Sequence, residues 1–201
     1  MPTTRLAIVS DTHLSSATPE ADANWDAVVR HVDETRPDLV LHLGDLSLDG
    51  AHRPADLDHA RAQLDRLPVE WRAVPGNHDV GDNPWPGLRA GGAVDAERHD
   101  QWLDVIGPDH WSLRCGPWVL LAIDAQLLGA ELEAAEAQWA WLDGMFTRGL
   151  PGPTVLVSHK PWAAPEEELA AAPPYRFVPP APRARFAEIA GSLVEMVAVV
   201  T

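Results

Sequence analysis

Short apolar runs alternate with longer amphipathic ones along the first part of the chain. Arg5 to Ser10 carries Leu-Ala-Ile-Val at its centre and reads as a short buried strand. Asp22 to Arg36 spaces Trp25, Val28, Val29 and Val32 as a helix does, and Pro37 stops it. Asp38 to Leu43 predicts a second strand. Ala55 to Leu67 predicts a second helix, with Leu57, Ala60, Leu64 and Leu67 on one face and Pro68 at its end. Trp71 to Val74 predicts a third strand. This strand-helix-strand-helix-strand order favours a parallel sheet with right-handed crossovers.

The pattern changes after Asp79. Residues 80–95 are rich in Gly, Pro and Asn and read as a loop. Glu97 to Ile106 reads as a short helix. His110 to Arg114 and Trp118 to Ile123 flank a Cys-Gly-Pro turn and predict an antiparallel hairpin. Leu132 to Phe146 predicts a helix with Leu132, Ala135, Trp139, Leu142 and Phe146 near one face. Thr154 to Val157 is a buried strand. Residues 161–182 form a Pro-rich segment, and long loops of this kind are often functional. Arg183 to Leu193 predicts a helix and Val194 to Val200 a last apolar strand.

Composition narrows the function classes. The 201 residues are expected to form one domain with room for a real core. Lys and Arg number 15 against 30 Asp and Glu, a net charge of -15. That field opposes nucleic acid and anionic membrane surfaces. A small anionic substrate stays open, because bound divalent cations invert the local potential. No apolar run reaches the roughly 18 residues needed to cross a bilayer. Cys115 is the only cysteine, so no intramolecular disulfide can form. The chain enters its first strand almost at once, leaving no room for a signal peptide, and a reducing cytoplasm is the expected location.

Four of the predicted strands end in polar residues: Asp11 with His13, Asp45, Asn77 with His78, and His159. Ligands bind outside the carboxyl ends of strands in open α/β sheets, so these side chains are candidates to converge. Asp11 and His13 share a side if the backbone there is extended. Carboxylate, imidazole and amide oxygen together suit Mn, Fe or Zn rather than a thiolate metal. Asp45 has two oxygens and can bridge two cations. Gly76 lets the backbone turn before Asn77 without a Cβ clash.

Asp11-Thr12-His13, Gly44-Asp45, Gly76-Asn77-His78-Asp79 and His159 resemble, in order and spacing, the calcineurin-like metallophosphoesterase superfamily. That family's pattern is DxH, GDxx, GNH followed by an acid, a later His, and a final GHxH. The wording SDTHLS, GDLS and SHKP is most similar to its class III cyclic nucleotide phosphodiesterase branch. The resemblance implies an α/β fold of two facing mixed β-sheets flanked by helices, a four-layer αββα sandwich. It implies two divalent metal ions, Mn, Fe or Zn. Asp11 and His13 would hold the first, Asp45 would bridge both, and Asn77 and His159 would hold the second. His78 would be catalytic, donating to the scissile phosphoryl group or its leaving oxygen.

The implied reaction is hydrolysis of a small phosphodiester, such as a 3',5'-cyclic nucleotide, by a hydroxide bridging the two ions. A nuclease or a protein phosphatase of the same fold is the alternative. The final GHxH should follow the strand Val194 to Val200, yet the sequence stops at Thr201, so the single domain 1–201 is expected to be truncated just before it. A non-catalytic scaffold lacking that motif is the further alternative.

The remaining candidates read more plainly. His42, inside a strand, is expected to be a core histidine, and His31, His52 and His59 to be solvated. His99 and His110 lack a partner motif. Cys115 reads as a small hydrophobe rather than a nucleophile. Lys160 is either a phosphate contact or a surface residue. Trp85 and Trp162 pack under loops or stack on a base. Glu166 to Glu168 read as a solvated face.

Overall fold

The computed structural model describes residues 4–162, 176–191 and 196–200. Strand β1 (Leu6–Val9), helix α1 (Pro19–Thr35), strand β2 (Leu39–His42), helix α2 (Pro54–Leu64) and strand β3 (Trp71–Ala73) form the alternating unit. A one-turn helix α3 (Asn77–Val80) follows, then α4 (Ala96–Val105), β4 (Trp111–Cys115) and β5 (Trp118–Ala122). The chain continues through α5 (Glu133–Arg148), β6 (Thr154–Val157), α6 (Pro180–Ala190) and β7 (Met196–Val200).

The strands form two sheets, ordered β1-β2-β3 and β4-β5-β6-β7. The first is wholly parallel. In the second, β4 and β5 make the expected hairpin, while β5, β6 and β7 run parallel. Residues alternate between faces with a period of two, so each strand serves two layers. Leu39 and Leu41 of β2 pack with Leu120, Ala122 and Val157 of the other sheet. Val40, between them, faces Trp25 and Val32 of α1 and Leu57 and Leu64 of α2. Leu121 and Leu156 face Trp139, Leu142 and Phe146 of α5 and Phe186 of α6. The result is the implied arrangement of two facing sheets flanked by helices. The Trp111 indole N–H donates to the Ala73 carbonyl at 2.9 Å and ties the sheets together at one side.

Departures from the expected elements have local causes. The first strand reads as buried, but β1 is an edge strand of its sheet and Ile8 is 47% exposed. Helices α1 and α2 start at Pro19 and Pro54, not at Asp22 and Ala55. Proline suits a first turn because no intrahelical acceptor awaits its missing N–H. Arg36 takes a left-handed conformation (φ 46°) and donates its N–H to the Val32 carbonyl, which closes α1 before Pro37. Residues 163–175 of the Pro-rich segment, with Glu166 to Glu168, lie outside the described residues, as do 192–195.

Parallel order sends the carboxyl ends of β1, β2 and β3 to one rim. The imidazole of His159, just past β6, reaches across to the Leu43 carbonyl, just past β2, at 2.9 Å. The rims of the two sheets therefore meet, and the polar strand ends meet with them.

The inter-sheet layer gives a stability prediction. Leu41 is 2% exposed between the sheets. Leu41→Ala should cost roughly 2–5 kcal/mol in urea unfolding. Glu34→Ala, on the exposed side of α1, should stay within about 0.5 kcal/mol of the parent. A loss below about 1 kcal/mol for Leu41→Ala would contradict a packed layer between the sheets.

Candidate metal centre

The site is built by loops that pair with one another. Past β1, the Asp11 N–H donates to the Gly44 carbonyl at 3.1 Å, and the His13 N–H to the Asp45 carbonyl at 3.1 Å. Asp11, His13 and Asp45 all have left-handed backbones, with φ of 56°, 46° and 53°. Asp and His tolerate this region better than most side chains. Asp11 and His13 therefore do not share a side through extended backbone, as their spacing suggests. They converge because the loop carrying them follows the Gly44-Asp45 loop, bond by bond.

Two glycines make the approach possible, for different reasons. Gly44 has φ +104°, and a Cβ there would lie 2.6 Å from His159 Nδ1. Gly76 has an ordinary φ of −106°, so conformational freedom is not what it supplies. A Cβ there would lie 2.1 Å from Asp45 Oδ1 and 2.2 Å from Asp45 N, so this position needs empty space.

Asp79, at the end of the same motif, stitches the loops. It is 1% exposed. Its carboxylate accepts from the Leu46 N–H at 3.1 Å, the Ser47 N–H at 2.9 Å, the Ser47 hydroxyl at 2.7 Å and the Gly76 N–H at 2.9 Å. Burial, and next the Asp45 charge, push its carboxyl above the usual range, against the hydrogen bonds from Ser47 and Gly76. The sequence reading gave Asp79 no role. Its one signal is its place as the acid after Gly76-Asn77-His78.

Around this frame all six predicted site residues come together. His13 Nε2 lies 4.0 Å from Asp11 Oδ1 and 3.9 Å from Asp45 Oδ2. His159 Nε2 lies 3.5 Å from Asp45 Oδ1 and 3.3 Å from Asn77 Oδ1. The His78 N–H donates to Asp45 Oδ1 at 2.9 Å, and its ring stands edge-on to His13 at 4.6 Å between centroids. Donor atoms of Asp11, Asp45 and His159 fall within 4.8 Å of one another, as do those of His13, Asp45 and His78. Asp45 belongs to both groups.

The donor set fits cations. A carbonyl can only accept, so the Leu43 carbonyl fixes the proton of His159 on Nδ1 and leaves the Nε2 lone pair facing Asp45 and Asn77. The Leu48 carbonyl, 2.6 Å from His78 Nδ1, fixes that ring in the same tautomer. Lone pairs and carboxylate oxygens thus converge at separations too long for hydrogen bonds among them at His13. Such an array is repulsive unless positive charge enters it.

Several neighbouring residues settle differently from their sequence reading. His42 is a core histidine, as expected: its ring tilts against Trp25, and Nε2 is 2.9 Å from the Thr12 hydroxyl. Burial holds its pKa down at about 3, so it adds no charge behind the site. His31 and His52 are exposed, as expected, whereas His59 is partly buried. His52 Nδ1 meets Asp49 at 2.9 Å, and His59 Nε2 meets Asp22 at 2.9 Å, joining α2 to α1. Lys160 is neither on the surface nor turned to the site. It is 3% exposed and its ammonium donates to Asp82 and Asn83. Trp162 packs under its loop, 4.5 Å from Phe186 between ring centroids. Cys115 lines the inter-sheet layer, and burial pushes its thiol pKa up, which suits a small hydrophobe. His99 and His110, without a partner in the sequence, both contact Asp109.

Among the described residues no helix is long and apolar enough to cross a membrane. None of the curated proteins matches the chain. Among solved structures, a dimetal phosphatase from Danio rerio superposes with a TM-score of 0.62 at 14% identity, covering 94% of this chain and 77% of that one. A purple acid phosphatase from yellow lupin (Lupinus luteus) seeds superposes with a TM-score of 0.54 at 16% identity, covering 80% of this chain and 31% of that one. At such identities the likeness concerns the fold. The sequence itself goes further: residues 4–178 match the family described as calcineurin-like phosphoesterase. With the motifs gathered at one rim, the chain belongs to that family and is a metal-dependent phosphoric ester hydrolase.

Proposed function

We propose that the chain hydrolyses a small phosphodiester, such as a 3',5'-cyclic nucleotide, at a centre that holds two divalent ions, Mn, Fe or Zn. The observation that carries the two-ion reading is the position of Asp45. Its Oδ2 faces His13 and its Oδ1 faces His159 and the His78 N–H, so one carboxylate addresses two groups of donors. Asp11 and His13 would hold one ion and Asn77 and His159 the other. Bound there, the ions would supply Lewis acidity, activating water and neutralising phosphoryl charge.

The protein's own residues have separable tasks. The Leu43 and Leu48 carbonyls hold the tautomers of His159 and His78. Asp79 fixes the loops that aim Asp45 and Asn77. The Nδ1–H of His78 is committed to the Leu48 carbonyl, so a proton for the leaving oxygen would come from Nε2 of the imidazolium, protonated on both nitrogens, leaving the neutral Nδ1–H ring behind. Donor atoms of His78 also lie within 4.8 Å of those of His13 and Asp45.

A small substrate is supported by what borders the site. A recess of about 140 Å³, lined by His52, Asn77, His78, Leu88 and Arg89 among others, adjoins the donors. At that volume it would take the phosphoryl end of a small ester rather than a whole mononucleotide, and the net charge of -15 opposes a polyanion. The superposed structures are named a dimetal phosphatase and a purple acid phosphatase, and a two-ion centre on this chain is in keeping with the first name.

Asp45→Ala should abolish Mn-dependent hydrolysis and release metal, read by elemental analysis after dialysis. His78→Ala should keep its metal and lower kcat by about 10²–10⁴. Equal metal loss in the two variants would make His78 a ligand and overturn the division of roles. On substrates, the Mn-loaded protein should turn over 3',5'-cyclic AMP and leave single-stranded DNA intact. The reverse preference would identify a nuclease. Tight metal binding with no hydrolysis of cyclic AMP, DNA or a phosphoserine peptide would point to the scaffold.

A further inference from the structure

A second cluster of buried polar groups lies between α4, the start of β4 and the end of β5. His99 Nε2 is 2.8 Å from Asp109 Oδ2. The other Asp109 oxygen accepts the His110 N–H at 2.9 Å and lies 2.8 Å from His110 Nδ1. Asp124 follows β5 and is 0% exposed. Donor atoms of His99, Asp109 and Asp124 all fall within 4.8 Å of one another, and none of the three belongs to the rim groups around Asp45.

Asp124 is held as a ligand is held. The Gln138 side chain of α5 clamps its backbone, accepting from the Asp124 N–H at 2.8 Å and donating to its carbonyl at 3.0 Å. The Gln126 N–H donates to Oδ1 at 2.7 Å. Oδ2 is left buried with no hydrogen-bond partner among the described residues. A buried, oriented and unmet carboxylate oxygen beside a second carboxylate and an imidazole calls for a positive partner. Lys160, the ammonium near enough to feel Asp124, already donates to Asp82 and Asn83.

We propose that His99, Asp109 and Asp124 bind a further divalent transition-metal ion, such as Zn²⁺, distinct from the pair at the rim. One imidazole and two carboxylates make a borderline-hard donor set suited to Zn or Mn. Adjacent ligands in a tetrahedral sphere of roughly 2.1 Å radius stand about 3.4 Å apart, so an ion would replace the proton now shared between His99 Nε2 and Asp109 Oδ2 at 2.8 Å and spread the pair by about half an ångström. His110, against the far oxygen of Asp109, supplies the outer contact that orients a ligating carboxylate. A cavity of about 790 Å³ opens onto His99 and Asp109 between Leu103, Pro108 and Leu132, and gives an ion its entry. With no ion the cluster must be satisfied by protons. Burial, then the Asp109 charge, accordingly raise the Asp124 pKa to about 8. The ion would pin α4 and the first residue of the hairpin to the end of β5.

Metal analysis of the full chain after equilibrium dialysis against Zn²⁺ tests this. Wild type should hold one more equivalent than Asp124→Asn and than His99→Gln. Asp45→Ala should keep that equivalent whatever it loses at the rim, so failure of this site and failure of the rim centre are told apart. Circular dichroism of the metal-free forms checks that each variant folds. If a variant does not fold, crystals of the wild type soaked in Zn²⁺ should show an anomalous peak among His99, Asp109 and Asp124. Equal stoichiometry in wild type and both folded variants, or a soaked crystal with no peak there, would leave protons as the cluster's only occupants and overturn the proposal.

Discussion

The site depends on one carboxylate that never faces it. Asp79 accepts four hydrogen bonds from the loops after β2 and β3, and it is buried where water cannot substitute for them. Hydrogen bonds to a charged group are worth about 1.5–3 kcal/mol each, and losing the acceptor would leave the donors unmet. That tie presses Gly76 onto Asp45 so closely that no side chain fits between them. It also sets the turn from which Asn77 and His78 project. The chain's reason for spelling Gly-Asn-His-Asp is therefore mechanical at both ends and chemical in the middle.

Much of this was legible in the sequence because parallel strands impose direction. Once Asp38 to Leu43 and Trp71 to Val74 read as strands separated by helices, their polar ends had to lie at one rim. The family resemblance then named the partners. The means of convergence was hidden. Asp11 and His13 meet Asp45 through left-handed backbone and loop-to-loop hydrogen bonds, which no period of two or 3.6 encodes. The exposure of Ile8 was hidden for a similar reason, since an edge strand has the same composition as a central one. His99, Asp109 and Asp124 have no motif at all. They are brought together by the hairpin folding back under α4, a tertiary event.

Lys160 shows how a short motif misleads about reach. It directly follows His159, which makes a contact with phosphate attractive on spacing alone. In the fold, the ammonium turns inward to Asp82 and Asn83, and Asn83 in turn donates to the carbonyls of Ala125, Gln126 and Leu128. The loop after β3 is thereby anchored to the loop after β5. Burial lowers the pKa of Lys160, against the raising effect of its Asp82 contact. Its charge serves the scaffold.

The electrostatics of the rim follow from these commitments. Asp11, Asp45 and the buried Asp79 concentrate negative charge in a protein already at net -15. His42, behind them, is kept neutral by burial, and the nearest ammonium is spent elsewhere. The six donor residues include no Lys or Arg. A phosphate ester approaching the metal-free rim would meet these carboxylates, with Arg89 of the adjoining recess as a counter-charge. Two divalent cations add four positive charges where Asp11 and Asp45 supply two negative ones, which turns repulsion into attraction at the place where the ester must sit. That sum would place metal binding before substrate binding, and the acidity of the whole chain would favour it by drawing cations in.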